Sequence, residues 1–319
     1  MTSGPVAYLL KIAINNFHGS LDEPMAQMGM ALADAGLKSV GRLVDLTQPR
    51  EVLEPGGINI LLGHVAFARN RILDALAGAP FILWQLDPLS RHTGPLHSNP
   101  EYLELIERAT RVWDYNANNA AILAAWGRPD ARVLPFGHQP ALATIPTEVA
   151  KDIDVCFFGW GSERRVDLAR RLKSAGLRVH FNQKCYGAER DAIIARSHIA
   201  LNVHAYDRLP LLEEARISFL LSNRRFVISE LADHDPYDGG VIYAPFNNLV
   251  DICRYWLTQP EAARMAVAER GHAAVQRRPF TAALTAAVAD AVPAVMAAWD
   301  RHRSSAMSAP GRPDLAQAL

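Results

Sequence analysis

The chain has 319 residues, and its 33 Lys plus Arg balance 33 Asp plus Glu. It therefore lacks both the basic field that nonspecific nucleic-acid binding needs and the polybasic character that anionic lipid surfaces select. Cys156, Cys185 and Cys253 are odd in number and far apart, which argues against a disulfide framework and a cysteine-built zinc site and leads us to expect a cytoplasmic protein.

At this length a single core stops growing, so two α/β domains of about 150 residues each are expected. The first apolar run, residues 6–14, carries Lys11 inside it and has no basic segment with a cleavage site ahead of it, so no signal peptide is expected. The longest apolar stretches, such as 58–62 and 80–86, fall well short of the ~20 residues that span a bilayer. No transmembrane segment is expected.

In chain order, residues 7–14 read as a buried strand. A loop containing His18 and Gly19 leads into a helix over 22–35, which Gly36 closes. Short apolar runs at 58–62, 81–86, 111–115 and 132–135 then alternate with helical patterns at 66–77, 100–109 and 118–126. Strands separated by helices of this length call for right-handed crossovers and a parallel sheet. Residues 139–151 lose all periodicity around Pro140 and Pro146 and mark the linker.

The alternation restarts with strands at 154–158, 178–181, 199–204, 225–229 and 241–243, and helices at 163–175, 188–195 and 211–221. From 249 to about 299 the pattern is helical, with Pro260, Pro279 and Pro293 each expected to end or kink a segment. The organisation read from the chain is thus a Rossmann-like domain over 1–145 and a second over 150–280. A terminal helix over 281–303 could pack back on the first domain, and 304–319 reads as a mobile tail.

Several segments in this order carry a family signature. Residues 154–165 (DVCFFGWGSERR), 199–204 (IALNVH), 214–217 (EARI) and 226–230 (FVISE), preceded by 84–88 (WQLDP) and 112–116 (VWDYN), resemble bacterial group-1-like glycosyltransferases related to the CgeB-type spore-maturation proteins. The resemblance implies the GT-B fold: two facing Rossmann-like domains, an acceptor bound mainly by the first and a nucleoside-diphosphate sugar mainly by the second. It implies a metal-independent glycosyltransferase with no cofactor beyond its nucleotide-sugar substrate. The acceptor is left open among a glycan, a lipid-linked molecule, a protein and a small molecule.

The donor-side candidates follow from the chemistry of a diphosphate and a ribose. Gly159 and Ser162 lie between a strand and a helix, where free N–H groups face an anion. Arg164 and Arg165 in the first helical turn offer bidentate contacts to phosphate oxygens, or form a solvated helix face. Asn202 and His204 alternate along a strand end, so both point to one side, although a satisfied core histidine is an equal reading for His204. Glu214 follows that strand and suits a ribose diol. The resemblance places it at the second glutamate of an E-x7-E motif, whose first position is Tyr206 here. Glu230, ending another strand, faces the sugar or the cleft.

On the acceptor side His18 and Asp87 are the candidate bases, with His64 a weaker one, because loops after strands of an open sheet face its ligand edge. Asp233-His234-Asp235 sits in a Pro/Gly-rich stretch and reads as a polar loop rather than a metal site. The competing functional classes are a catalytically silent nucleotide-sugar or protein-binding module, and a nucleotide-sugar hydrolase or epimerase.

Overall fold

The computed structural model describes residues 5–12, 18–44, 52–63, 72–76, 78–90, 99–207 and 209–308. His64 lies outside them. The first sheet has six strands, β1 (Ala7–Ile12), β2 (Ser39–Val44), β3 (Ile58–Gly63), β4 (Ile82–Gln85), β5 (Arg111–Asp114) and β6 (Arg132–Val133). They are all parallel, in the order β2-β1-β3-β4-β5-β6. Its helices are α1 (Asp22–Asp34), α2 (Ile72–Leu76), α3 (Pro100–Arg108) and α4 (Ala117–Ala125).

Period-two alternation sends neighbouring residues to opposite faces. Leu9, Ile60, Leu62 and Trp84 join one core, while Leu10, Leu61 and Leu83 join the other. Both faces are covered, which is why β3 is apolar and buried along its length except for Asn59, whose side chain is bonded to the Glu54 backbone. β2 is an addition to the sequence reading. It is an edge strand whose Val40 and Leu43 are exposed and whose centre holds Gly41 and Arg42, so it carries no apolar run to notice.

The second sheet, also parallel, contains β7 (Ile153–Phe158), β8 (Val179–Asn182), β9 (Ser197–Asn202), β10 (Val227–Glu230) and β11 (Ile242–Ala244), in the order β11-β10-β9-β7-β8. Its crossover helices are α5 (Glu163–Ser174), α6 (Gly187–Ala195) and α7 (Glu214–Ser222). After β8 the chain crosses back over β7 to lay down β9, so strand order reverses between β7 and β9. A crevice opens at the carboxyl ends of such a pair.

Three helices close the described part of the chain: α8 (Leu249–Thr258), α9 (Glu261–Gln276) and α10 (Phe280–Ser308). Pro260 and Pro279 stand just before α9 and α10, as expected, but Pro293 lies inside α10 without ending it. The helix also runs past the expected limit of 303, and residues 309–319 lie outside the described part.

α10 returns to the first sheet. Leu284, Ala287, Ala291 and Val295 form a buried stripe at helical spacing against Leu9, Ile60 and Trp84, and Trp299 Nε1 donates to Gly57 O at 2.8 Å. By length and composition α10 is apolar enough to cross a membrane. The sequence reading named shorter apolar stretches and passed over this one, which carries Asp290; its buried stripe belongs to the core of the first sheet.

The outgoing and returning chain cross closely. A Cβ on Gly137 would stand 1.9 Å from Arg278 O, and His138 N donates to that carbonyl at 2.9 Å. Glycine is required at this crossing. Leu284→Ala should destabilise the protein by about 2–5 kcal/mol through lost burial and a cavity, against at most about 1 kcal/mol for exposed Leu43→Ala. Urea unfolding measures both, and equal small effects would mean that α10 is not part of the core.

Candidate functional site

The carboxyl-terminal edges of the two sheets meet. Glu23 of α1 pairs with Arg190 of α6 at 2.9 Å, Gln27 Nε2 donates to Gly137 O at 2.8 Å, and Asn118 of α4 donates to Asp233 at 2.5 Å. The Glu23 and Asn118 contacts join the first-sheet edge to elements of the second, and the Gln27 bond ties α1 to the segment after β6. The second-sheet edge carries the switch point between β7 and β9.

There the chain gathers Gly159, Ser162, Arg164, Arg165, Asn202, His204 and Glu230 into one network. Gly159 leaves β7 at φ +124°, and a Cβ on it would stand 2.7 Å from Arg165 Nη1 and 3.1 Å from Arg216 Nη2. Only glycine tolerates both this backbone and two guanidinium groups beneath it. Ser162 holds the N-cap position of α5 without a capping bond, and its buried hydroxyl has no protein partner among the described residues.

The arginines divide their work. Arg165 is 3% exposed and gives Nε to Val203 O at 2.9 Å and Nη1 to Trp160 O at 3.0 Å. It ties the loop after β7 to the end of β9 rather than facing outward. Burial, and then the nearby Arg216, bring its pKa down to about 10. Arg164 forms a two-pronged pair with Glu230, at 2.7 and 2.8 Å, donates to His204 O at 2.8 Å and stacks 4.1 Å over Phe246. The Glu230 hydrogen bond holds its pKa above the ordinary value. Arg216, from the first turn of α7, donates to Asn202 Oδ1 and is 25% exposed, more than the other two.

Glu213 is the hub of this edge, and the sequence reading passed over it. Its carboxylate accepts from Asn202 Nδ2 at 2.7 Å and His204 Nδ1 at 2.9 Å, and lies 3.6 Å from Arg165 and 3.9 Å from Arg216. Burial alone would raise its pKa, but His204, then Arg216 and Arg165, hold it down at about 2. Burial alone would depress the His204 imidazole, but the Glu213 carboxylate outweighs it and the pKa is raised.

Glu214 turns the other way. It is 2% exposed, on the buried stripe of α7 with Ile217, Ser218 and Leu221, and its carboxylate meets Arg278 and His234, each at 3.4 Å. The 214/217/218/221 spacing is the signal that Glu214 belongs to the packed face and that its neighbour begins the helix at the strand ends.

On the first-sheet side Asp87 lies two residues beyond β4 and is half-buried. Its backbone N–H donates to Gln85 Oε1, and its carbonyl accepts from Gln85 Nε2 at 2.7 Å and Asn119 Nδ2 at 3.0 Å. His18 begins a short 3-10 turn, Gly19 approaches Tyr186 of the second half, and the His18 side chain lies outside the described residues. Behind Asp87 stands Asp114, at the end of β5 and wholly buried. It accepts from Gln85 Nε2 and Asn116 N, each at 2.8 Å. Burial is the main cause that raises its pKa from 3.8 to about 7. The clue was the Asp inside VWDYN, a polar residue ending an apolar strand.

The Asp233-His234-Asp235 loop bridges the halves. Asp233 accepts from Leu212 N and Asn118, His234 sits between Asp233 and Glu214, and Asp235 accepts from Tyr237 N and Tyr243 Oη.

No protein-family model matches the chain. An uncharacterised protein of Acanthamoeba polyphaga mimivirus is 26% identical over 174 residues, 50% of this chain and 56% of that protein. The match thus spans little more than half of the relative's length. Among solved structures, a sucrose-phosphate synthase from Thermosynechococcus elongatus aligns with TM-score 0.52 at 11% identity over 95% of this chain and 99% of its own. An α,α-trehalose 6-phosphate synthase from Burkholderia multivorans gives 0.51 at 12% over 92% and 80%. The N-terminal domain of Candida albicans trehalose-6-phosphate phosphatase gives 0.52 at 9% over 92% and 97%. At these identities the likeness is one of fold, and the fold is GT-B. The CgeB-type resemblance has no counterpart among these matches.

Two titrations test the geometry. Replacing Glu213 by Gln removes the charge that offsets burial, so the His204 pKa, followed by imidazole NMR, should fall below the ordinary ~6.5; an unchanged value would break the hub. For Asp114 the folded state binds more protons than the unfolded between about pH 4 and 7, so stability declines as pH rises through that window. Relative to the native chain, Asp114→Asn should therefore gain up to about 4 kcal/mol between about pH 4 and pH 8. A pH-independent difference in urea unfolding would show that Asp114 titrates normally.

Proposed function

We propose that this GT-B chain transfers a sugar from a nucleoside-diphosphate donor to an acceptor hydroxyl or amide, without a metal, in the cytoplasm. The observation that carries the reading is the strand-end cluster at the β7/β9 switch point. There a glycine loop, the free N–H groups that begin α5 and a part-exposed Arg216 adjoin the half-buried carboxylate of Glu213 and the buried one of Glu230. Oriented backbone N–H groups and a guanidinium suit a pyrophosphate, which needs charge-assisted donors as negative charge builds on the leaving group.

In this reading the diphosphate meets the start of α5 and Arg216, with Arg164 beside them. Arg165 holds the loop, and Glu213 accepts from the ribose diol in the role first read for Glu214. The acceptor oxygen forms a bond to the anomeric carbon while the bond to the diphosphate breaks. The nucleoside diphosphate leaves with the electron pair, and the acceptor proton goes to a first-sheet base. Asp87 is our choice for that base over His18. Its backbone is held by Gln85, which also contacts Asp114, so the three form a connected polar unit. Asp114, wholly buried, acts only through Gln85 as a positioning residue.

One observation favours a second reading. Arg164 is already engaged by Glu230, Asp207 and the His204 carbonyl, so fewer of its donors are left for a departing diphosphate. Calorimetry with uridine, guanosine and thymidine diphosphates separates the possibilities. We expect one of them to bind, and Arg216→Met to weaken it by about tenfold to a hundredfold, the worth of a charge-assisted hydrogen bond. Failure of all three to bind, or unchanged affinity in the variant, would defeat the donor assignment. Binding of the matching nucleotide sugar with no release of diphosphate across an acceptor panel would favour the silent module.

A further inference from the structure

The opposite, amino-terminal end of the second sheet holds a cavity of about 50 Å³, room for a few waters or one tetrahedral oxyanion. Its walls come from the start of β9, the approach to β10, the first turn of α9 and the segment before β7. They bring together Lys151, His198, Arg225 and Arg264, with Glu261 among them as the carboxylate.

A fourth lining cation, Arg224, pairs with Glu269 at 3.1 Å, while Lys151, Arg225 and Arg264 spend their hydrogen bonds on backbone carbonyls. Lys151 Nζ donates to Ala195 O at 2.9 Å and Ser197 O at 3.1 Å. Arg225 Nη2 donates to Ile145 O and Pro146 O, both at 2.8 Å. Arg264 Nη1 donates to Trp256 O at 2.9 Å and Gln259 O at 2.7 Å. Arg225 and Arg264 are 6% and 7% exposed, and among the described residues no carboxylate forms an ion pair with any of the three. The Nε of Arg225 is buried and has no acceptor there.

Cations at helix carboxyl ends have an ordinary structural use, and this accounts for Lys151 beside the end of α6 and Arg264 beside the end of α8. It does not account for Arg225, whose Nε is left over, or for the convergence of all three on one cavity. Buried charge is costly unless it is compensated. Burial and the neighbouring cations depress Lys151 in the direction expected of crowded positive groups, and they depress His198 likewise, with Arg264 and Lys151 opposed by Asp154 and Glu261.

We propose that this cavity is an anion site, in which Lys151, Arg225 and Arg264, with His198 beside them, hold one tetrahedral oxyanion, either free phosphate or the phosphoryl group of a larger molecule. The site is at the far end of the sheet from the donor edge and does not depend on the donor assignment. Anion binding should raise the His198 pKa and be tighter below it, because the added charge faces the imidazole together with Lys151, Arg264, Asp154 and Glu261.

The test is titration of the full chain with inorganic phosphate and, separately, with ribose 5-phosphate, followed by calorimetry and by the His198 imidazole signals. The expected result is saturable binding at one site, an upward shift of the His198 pKa, at least tenfold weaker binding in Lys151→Met, recovery in Lys151→Arg, and no change in Arg216→Met. Tighter binding of ribose 5-phosphate than of phosphate would identify a phosphoryl group on a larger molecule as the ligand; the reverse would identify the free ion. Circular dichroism confirms that each variant is folded, and Arg264→Lys serves as a second variant if Lys151→Met is not. Absence of saturable binding with unmoved His198 signals would overturn the proposal. So would binding that survives Lys151→Met and is lost in Arg216→Met, because the phosphate would then sit at the donor edge.

Discussion

The carboxylate of Glu213, half-buried at the start of α7 among His204, Asn202, Arg165 and Arg216, is the interaction on which the candidate site depends. A charge in that position must be compensated from several sides. Its compensation fixes the end of β9, the entry to α7 and, through Arg165, the loop after β7. The Arg164 to Glu230 pair adds the end of β10 to the same frame. One electrostatic knot thus sets the shape of the edge where a ligand of an open α/β sheet belongs.

That knot works only against a closed scaffold. The chain leaves the first sheet at Gly137, builds the second, and returns through Arg278 beside the same glycine before α10 seals the first core. Glu214 faces this crossing through Arg278, and the Asp233-His234 loop reaches α4 of the first half. Adjacent glutamates therefore serve different ends, Glu213 organising the ligand edge and Glu214 the junction between halves. The separation follows from the helix start: Glu213 is the N-cap, with non-helical backbone, while Glu214 is the first helical residue and lies on the packed face.

Much of the fold was legible because buried parallel strands leave short apolar runs and their crossover helices leave longer periodic ones. β2 escaped because an exposed edge strand has no such run. α10 was read as a returning helix, but Pro293 was expected to end or kink a segment there and does not end it. The site was legible at the level of loops: strand ends carrying Gly159, Asn202, His204 and Glu230 converge because parallel topology places all those ends on one edge. Side-chain direction was not legible. Whether Arg165 turns inward to Val203 O, whether Arg164 is met by Glu230, and which of two adjacent glutamates faces the strands depend on tertiary partners far away in sequence.

The most direct test of the central claim is a crystal structure of the chain with a nucleoside diphosphate bound. The account predicts phosphate oxygens on the free N–H groups that begin α5 and on the Arg216 guanidinium, with the ribose hydroxyls against Glu213. A diphosphate bound elsewhere, with Glu213 still enclosed by His204 and Asn202 and Arg216 unmoved, would contradict it.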